Sequence, residues 1–226
     1  PIDDRNLRQT IRAVVTSSGR ANPETASGER RGNTCAILDD FSLACWGAND
    51  QSQCARSPSS YLGLPEKIAA LNGGVDEVSV GGQHACVRAA GVISCWGSER
   101  EGQVGNGYQP NQTDSPAAID FGPGLRAQRV SVGDKHSCAL LDNKSVRCWG
   151  DNSFRQVGDN DASTPVGDQT LVPLDQDATS ISAAMNHTCA VLADGTVRCW
   201  GDNSQGQLGD GTQITPPMPV KVQNLP

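Results

Sequence analysis

The chain has 226 residues, 36% of them hydrophobic, enough to bury a core as one domain or as one array of small units. A formal charge of -7 and a sequence pI near 4.9 argue against general affinity for nucleic acid or anionic membranes, because neutralising phosphates takes clustered Lys and Arg. No stretch is apolar enough to span a bilayer, and nine cysteines in this length favour an oxidising compartment.

Residues 1–32 form an atypical end. Ile11 to Thr16 has the β-branched content of a strand that enters a first blade-like sheet, and Ser17 to Gly32 is polar and Gly-rich and reads as a loop. The chain starts at Pro1 rather than Met, so we expect a mature product whose leader was removed, located outside the cell or on its surface.

Residues 33–226 divide into four repeats, at about 33–72, 73–125, 126–176 and 177–226. Aligned on Cys-Trp-Gly they place Trp46, Trp96, Trp149 and Trp200 at separations of 50, 53 and 51 residues, a period of about 51 that signals a propeller, solenoid or array. Within each repeat an alternating strand such as Val78 to Gly81 precedes a His-x-Cys strand. A turn such as Asp194-Gly195 follows, then a Val-x-Cys-Trp-Gly strand. Prolines in every connection and weak helical periodicity exclude long helices. The fold class is all-β, with antiparallel sheets of three or four strands. At the far end Pro219 to Leu225 reads as one more strand, which together with Ile11 to Thr16 could complete a single sheet.

Eight cysteines occupy two fixed places per repeat: Cys35 and Cys45, Cys86 and Cys95, Cys138 and Cys148, Cys189 and Cys199. Spacings of 10, 9, 10 and 10 put each pair on opposite arms of one hairpin, where directly opposed residues come close enough for a disulfide, so one intra-hairpin disulfide per blade is expected. Zinc is the competing reading, because His84, His136 and His187 each stand two residues before a Cys on the same strand face. Against it, the first repeat has Asn33 in place of His and no Cys-x-x-Cys occurs. We expect these His to tie neighbouring strands together through hydrogen bonds to backbone, with no metal and no cofactor. Cys54 stands where the other repeats have Val104, Val157 and Leu208, which predicts a buried free thiol; an interchain bond is the alternative.

No Gly-x-Ser-x-Gly, HExxH or phosphate loop is present, and the scattered acidic residues suit turns, so no catalytic residue is expected. Recognition would fall to the loops after each Trp-Gly, which differ between repeats: Asn49 to Gln51, Ser98 to Glu101, Asn152 to Arg155 and Asn203 to Gln205. Arg100, Tyr108, Phe154 and Arg155 are the candidate anchors for a protein partner, since aromatics and Arg dominate hot spots.

The order Val-x-Val-x-Gly-x-x-His-x-x-Ala-Leu, then Asp-Gly-x-Val-x-x-Trp-Gly-x-Asn-x-x-Gly-Gln-Leu-Gly, resembles the repeat of the regulator of chromosome condensation family. Ser131 to Leu140 and Asp194 to Gly209 carry it almost position by position. The resemblance implies a β-propeller, usually of seven blades, whose two faces of short loops bind partners. The paired cysteines look like a secreted, disulfide-reinforced branch. Four blades could close as a ring, be part of a longer propeller or assemble with another chain; with the wedge shape of seven-bladed relatives four would not close, which favours association into a homo-oligomer, and a structural role in an extracellular assembly is the alternative to a binding module.

Overall fold

Val78-Ser79-Val80, Val130-Ser131-Val132 and Ile181-Ser182-Ala183 alternate apolar and polar side chains at the two-residue period of a strand, and each lies in the first strand of a four-stranded antiparallel sheet. The computed structural model describes residues 10–17, 20–21, 30–71, 73–107, 112–161 and 166–225. These form four such sheets, one per repeat. Blade 1 holds β1 (Ile11–Thr16), β4 (Asn33–Leu38), β5 (Leu43–Asn49) and β6 (Ser59–Lys67), with the short pair β2 (Arg20–Ala21) and β3 (Arg30–Arg31) between β1 and β4. Blade 2 holds β7 (Val75–Val80), β8 (His84–Ala89), β9 (Val92–Ser98) and β10 (Gln112–Ala118). Blade 3 holds β11 (Ala127–Val132), β12 (His136–Leu141), β13 (Val146–Gly150) and β14 (Val166–Leu171). Blade 4 holds β15 (Ala178–Ala184), β16 (His187–Leu192), β17 (Val197–Gly201) and β18 (Val220–Lys221).

The hairpin between the second and third strands sets the register that brings the cysteines together. In blade 4 the Asp194 carboxylate accepts from Thr196 N at 2.9 Å and Gly195 takes the left-handed conformation. Blades 1 and 3 make the same turn without Gly. There Asp40 and Asn143 accept from Ser42 N and Ser145 N, and Phe41 and Lys144 adopt positive φ. The result is a direct pairing of Cys35 with Cys45, Cys86 with Cys95, Cys138 with Cys148 and Cys189 with Cys199 across the strands. Each pair is a disulfide with its Cα atoms 4.1 Å apart.

The glycine after each Trp is required by close approach. Gly97 has φ 110°, and a Cβ there would stand 2.5 Å from Gln83 O and 2.6 Å from His84 Cα; Gly150 and Gly201 are equally hemmed in by the start of the second strand.

Successive blades pack face to face, β7 against β4, β11 against β7 and β8, and β15 against β11 and β12. Three apolar cores result, one per junction. The first gathers Ile37 and Leu43 with Val78 and Trp96, the second Ile93 and Val104 with Val130 and Trp149, the third Leu140 and Val157 with Leu192 and Trp200.

The two chain ends do not share a sheet. β1 pairs with β4 as the first strand of blade 1, whereas Val220–Lys221 pairs with β17 as the outer strand of blade 4, opposite Cys199 and Arg198. Each end strand finds its partner within its own repeat.

Candidate functional site

Every loop after Trp-Gly is built on a buried polar residue three positions past the Trp. Asn49, Asn152 and Asn203 accept, through Oδ1, the backbone N–H of Cys54, Val157 and Leu208 at 3.0 Å. In blade 2 Glu99 takes the role, its carboxylate accepting from Val104 N at 2.8 Å. The Asn side-chain amides also donate across the loop, as from Asn49 to Ser57 O and from Asn203 to Ile214 O. Four residues further on a Gln closes the inner turn: Gln53, Gln103, Gln156 and Gln207 accept from the N–H two positions earlier, each at 2.8 Å. Reading polar loop residues as solvent-facing misassigned Asn49, Ser98, Glu99, Asn152 and Asn203, all of which are buried frame. Their signal was the recurrence of Asn at one offset from Trp.

The Gln main chain then joins the blades. Trp96, Trp149 and Trp200 donate their indole N–H to the carbonyl oxygens of Gln53, Gln103 and Gln156 in the preceding blade, at 2.8, 2.9 and 3.0 Å. His84 Nε2 meets Ser137 Oγ at 2.9 Å and His136 Nε2 meets Thr188 Oγ1 at 2.7 Å, each on the following blade. These inter-blade bonds run to hydroxyls of the following blade. Ser137 in turn donates to Gln103 O at 2.9 Å, so its oxygen accepts from His84 and the proton sits on Nε2. Burial, with repulsion from His136, holds the His84 imidazole down at about 3, and burial holds His136 at about 4. Both rings are neutral frame at neutral pH. Eight cysteine sulfurs are spent on one another, and among the described residues no three His, Cys, Asp or Glu gather to hold an ion.

Cys54 is a free thiol, 1% exposed in the core between blades 1 and 2, with Sγ 3.6 Å from Ala48 O. Burial pushes its pKa up to about 12, so it is an unreactive small hydrophobe where its counterparts are Val and Leu.

What remains open on these loops is their tips. Arg100 is exposed at the tip of the blade 2 loop, and Phe154, 41% exposed, lies on the corresponding loop of blade 3. Arg155 is half-buried and holds φ 61°, where the equivalent residues Ser52, Gly102 and Gly206 have φ 60°, 76° and 74°. A bulky residue kept where two repeats have glycine stores backbone strain. The blade 2 loop packs on blade 3 through Gln103 O, so Arg100, Phe154 and Arg155 fall on one face of adjacent blades. Tyr108 lies outside the described residues.

Four antiparallel blades, joined in sequence by the same Trp bond and from blade 2 onward by the same His bond, define a β-propeller assembled from repeats. The regulator of chromosome condensation (RCC1) repeat matches residues 91–140 and 194–226, and a second form of that repeat matches 128–156 and 179–207. The chain belongs to this family. It is 33% identical over 214 residues to the human probable E3 ubiquitin-protein ligase HERC6, covering 91% of this chain and 20% of that protein. Ultraviolet-B receptor UVR8 of Arabidopsis thaliana is 27% identical over 198 residues, 85% of this chain and 44% of the receptor. Among solved structures, yeast RCC1 (Prp20) bound to Kap60 superposes with a TM-score of 0.81 at 16% identity, over 96% of this chain and 49% of that one. Human WBSCR16 gives 0.80 at 17% identity, over 96% and 54%. The chain thus spans a fifth to just over half of these relatives.

Proposed function

We propose that the protein is a non-enzymatic, secreted binding module that holds a protein partner on the face carrying the tips of the loops after Trp-Gly. The observation that carries this reading is Arg155: an arginine retained at a left-handed position, next to an exposed Phe154, on a loop whose other residues are locked into the frame. Aromatic and Arg side chains on a rigid base lose little entropy on binding, which suits them as anchors. The names of its relatives point the same way, since yeast RCC1 is seen bound to Kap60 and UVR8 is a receptor. Four disulfides support an oxidising compartment, and the acidic charge of -7 supports a basic or neutral protein partner rather than nucleic acid.

A photo-crosslinking side chain placed at 154 or at 100 is expected to capture a partner. The same group at Leu64, 76% exposed on the outer strand β6, should not. Equal capture at all three positions, or capture at 64 alone, would overturn the assignment of the face.

A further inference from the structure

The junction between blades 1 and 2 departs from a pattern that the two later junctions share. Between blades 2 and 3 a hydroxyl on the later blade completes a run of bonds. Ser137 Oγ accepts from His84 Nε2 at 2.9 Å, donates to Gln103 O at 2.9 Å and lies 3.7 Å from Cys86 Sγ. Between blades 3 and 4 Thr188 Oγ1 holds the same place, 2.7 Å from His136 Nε2 and 3.8 Å from Cys138 Sγ.

Between blades 1 and 2 both members of the His–hydroxyl pair are changed. Asn33 pairs with Gly47 as His84 and His136 pair with Gly97 and Gly150, and Ala85 pairs with Trp96 as Ser137 and Thr188 pair with Trp149 and Trp200. The backbone runs the same way in each case: a Cβ on Gly47 would stand 2.6 Å from Gly32 O and 3.0 Å from Asn33 Cα, much as one on Gly97 would press on Gln83 O and His84 Cα. The side chain from blade 1 therefore stops one ring short, and the methyl group of Ala85 brings no oxygen to meet it. Asn33 is 2% exposed, and its Nδ2 and Oδ1 are both buried without a partner. His84 and His136 also leave one ring nitrogen unpaired, but they bond through the other; the Asn33 amide bonds through neither atom. Gln53 O, the counterpart of Gln103 O, accepts from Trp96 Nε1 at 2.8 Å and keeps a second lone pair for the donor that Ala85 lacks.

We infer that one ordered water molecule takes the place of the Ser137 hydroxyl at this junction, donating to Gln53 O and bonding the Asn33 amide, with Cys35 Sγ beside it. A buried amide without a bond is costly, and a water relieves that cost where polar partners converge. Water suits the place because it is the size of the hydroxyl it replaces and both gives and takes hydrogen bonds. It accepts from Asn33 Nδ2, or donates its second proton to Oδ1 with the amide turned over. Ser17 shows that the space of the imidazole has been released. It lies opposite Asn33 as Gly81 lies opposite His84, and a Cβ on Gly81 would come within 2.7 Å of the His84 ring. Beside Asn33 a side chain fits, and Ser17 Oγ accepts from Asn33 N at 3.0 Å. The first junction is thus bridged by solvent, while the next two are bridged side chain to side chain.

Crystal structures of the full chain that resolve ordered solvent, together with chemical denaturation, test this. The parent should show a water about 2.7–3.2 Å from both the Asn33 side chain and Gln53 O. Ala85→Ser should put its Oγ at that point and exclude the water. Its unfolding equilibrium constant should stay within about threefold of the parent, because the new hydroxyl inherits the bonds of the water. Ala139→Ser, at a core alanine equally buried between blades 2 and 3, should raise that constant about tenfold, since its hydroxyl enters packed apolar surroundings. No water in the parent, a water that persists in the Ala85→Ser protein, or a loss in that protein as large as in Ala139→Ser would each overturn the inference.

Discussion

Glu99 does in blade 2 what an asparagine does in the other three, and it does so as a neutral acid. One carboxylate oxygen accepts from Val104 N, the other is buried without a partner, and burial pushes the pKa from 4.5 to about 8. A raised carboxyl pKa means the folded state holds a proton that the unfolded chain gives up. Its contribution is therefore complete below about 4.5 and is lost as pH rises through about 8. The melting temperature should fall between about pH 4.5 and 8 through this group, and Glu99→Gln should flatten that fall; identical profiles for the two proteins would refute the role. His84 and His136 act with the opposite sign. Their pKa values are depressed from 6.5 to about 3 and about 4, so the stability they carry is present above 6.5 and is lost as pH falls through those values. Acid melting curves of His136→Gln against the parent would show this as a weaker dependence below pH 6. At Arg155, left-handed strain of roughly 1–2 kcal/mol opposes the extra chain entropy of glycine, roughly 0.5–1 kcal/mol, so Arg155→Gly should leave stability unchanged or raised. A clear loss on thermal melting would mean that Arg155 belongs to the frame.

At the scale of the element, the hairpin and its disulfide are the repeating part. The pairing of Cys138 with Cys148 closes a short loop, and replacing both by Ala should cost about 2–4 kcal/mol in chemical denaturation, less if the reduced hairpin keeps its strand pairing. Alkylation of the native protein should leave all nine cysteines unlabelled, and denaturation without reductant should expose one, Cys54. Labelling of two or more would contradict the pairing. This layer was the most legible in the sequence. Cys and Trp recur at fixed strand positions, and a hairpin with a two-residue period converts equal spacing into opposition across strands. The position of Cys54 was readable for the same reason, because Val104, Val157 and Leu208 hold the equivalent place. Asn49, Asn152 and Asn203 were not read correctly, because a polar side chain between strands looks alike whether it faces water or satisfies its own loop. The bond from Asn203 Oδ1 to Leu208 N spans five residues and leaves no periodic trace within a single repeat.

For the whole molecule, the frame continues from blade to blade through atoms the repeats largely share, with Asn33, Cys54 and Glu99 as buried exceptions, while the exposed differences stand at the tips. That the blades stack was legible from the period of about 51. Which strand ends which blade was not, since Val220 and Lys221 are placed only by their pairing with Cys199 and Arg198. The same division separates stability from recognition. The most direct test converts the tips of blades 2 and 3 to those of blade 4, as Arg100→Ser, Phe154→Gln and Arg155→Gly in one protein, and measures thermal melting and partner retention on the same sample. Unchanged or raised melting together with loss of the partner captured through position 154 is the predicted result. Full retention of that partner by the well-folded triple variant would contradict the placement of recognition on these loops.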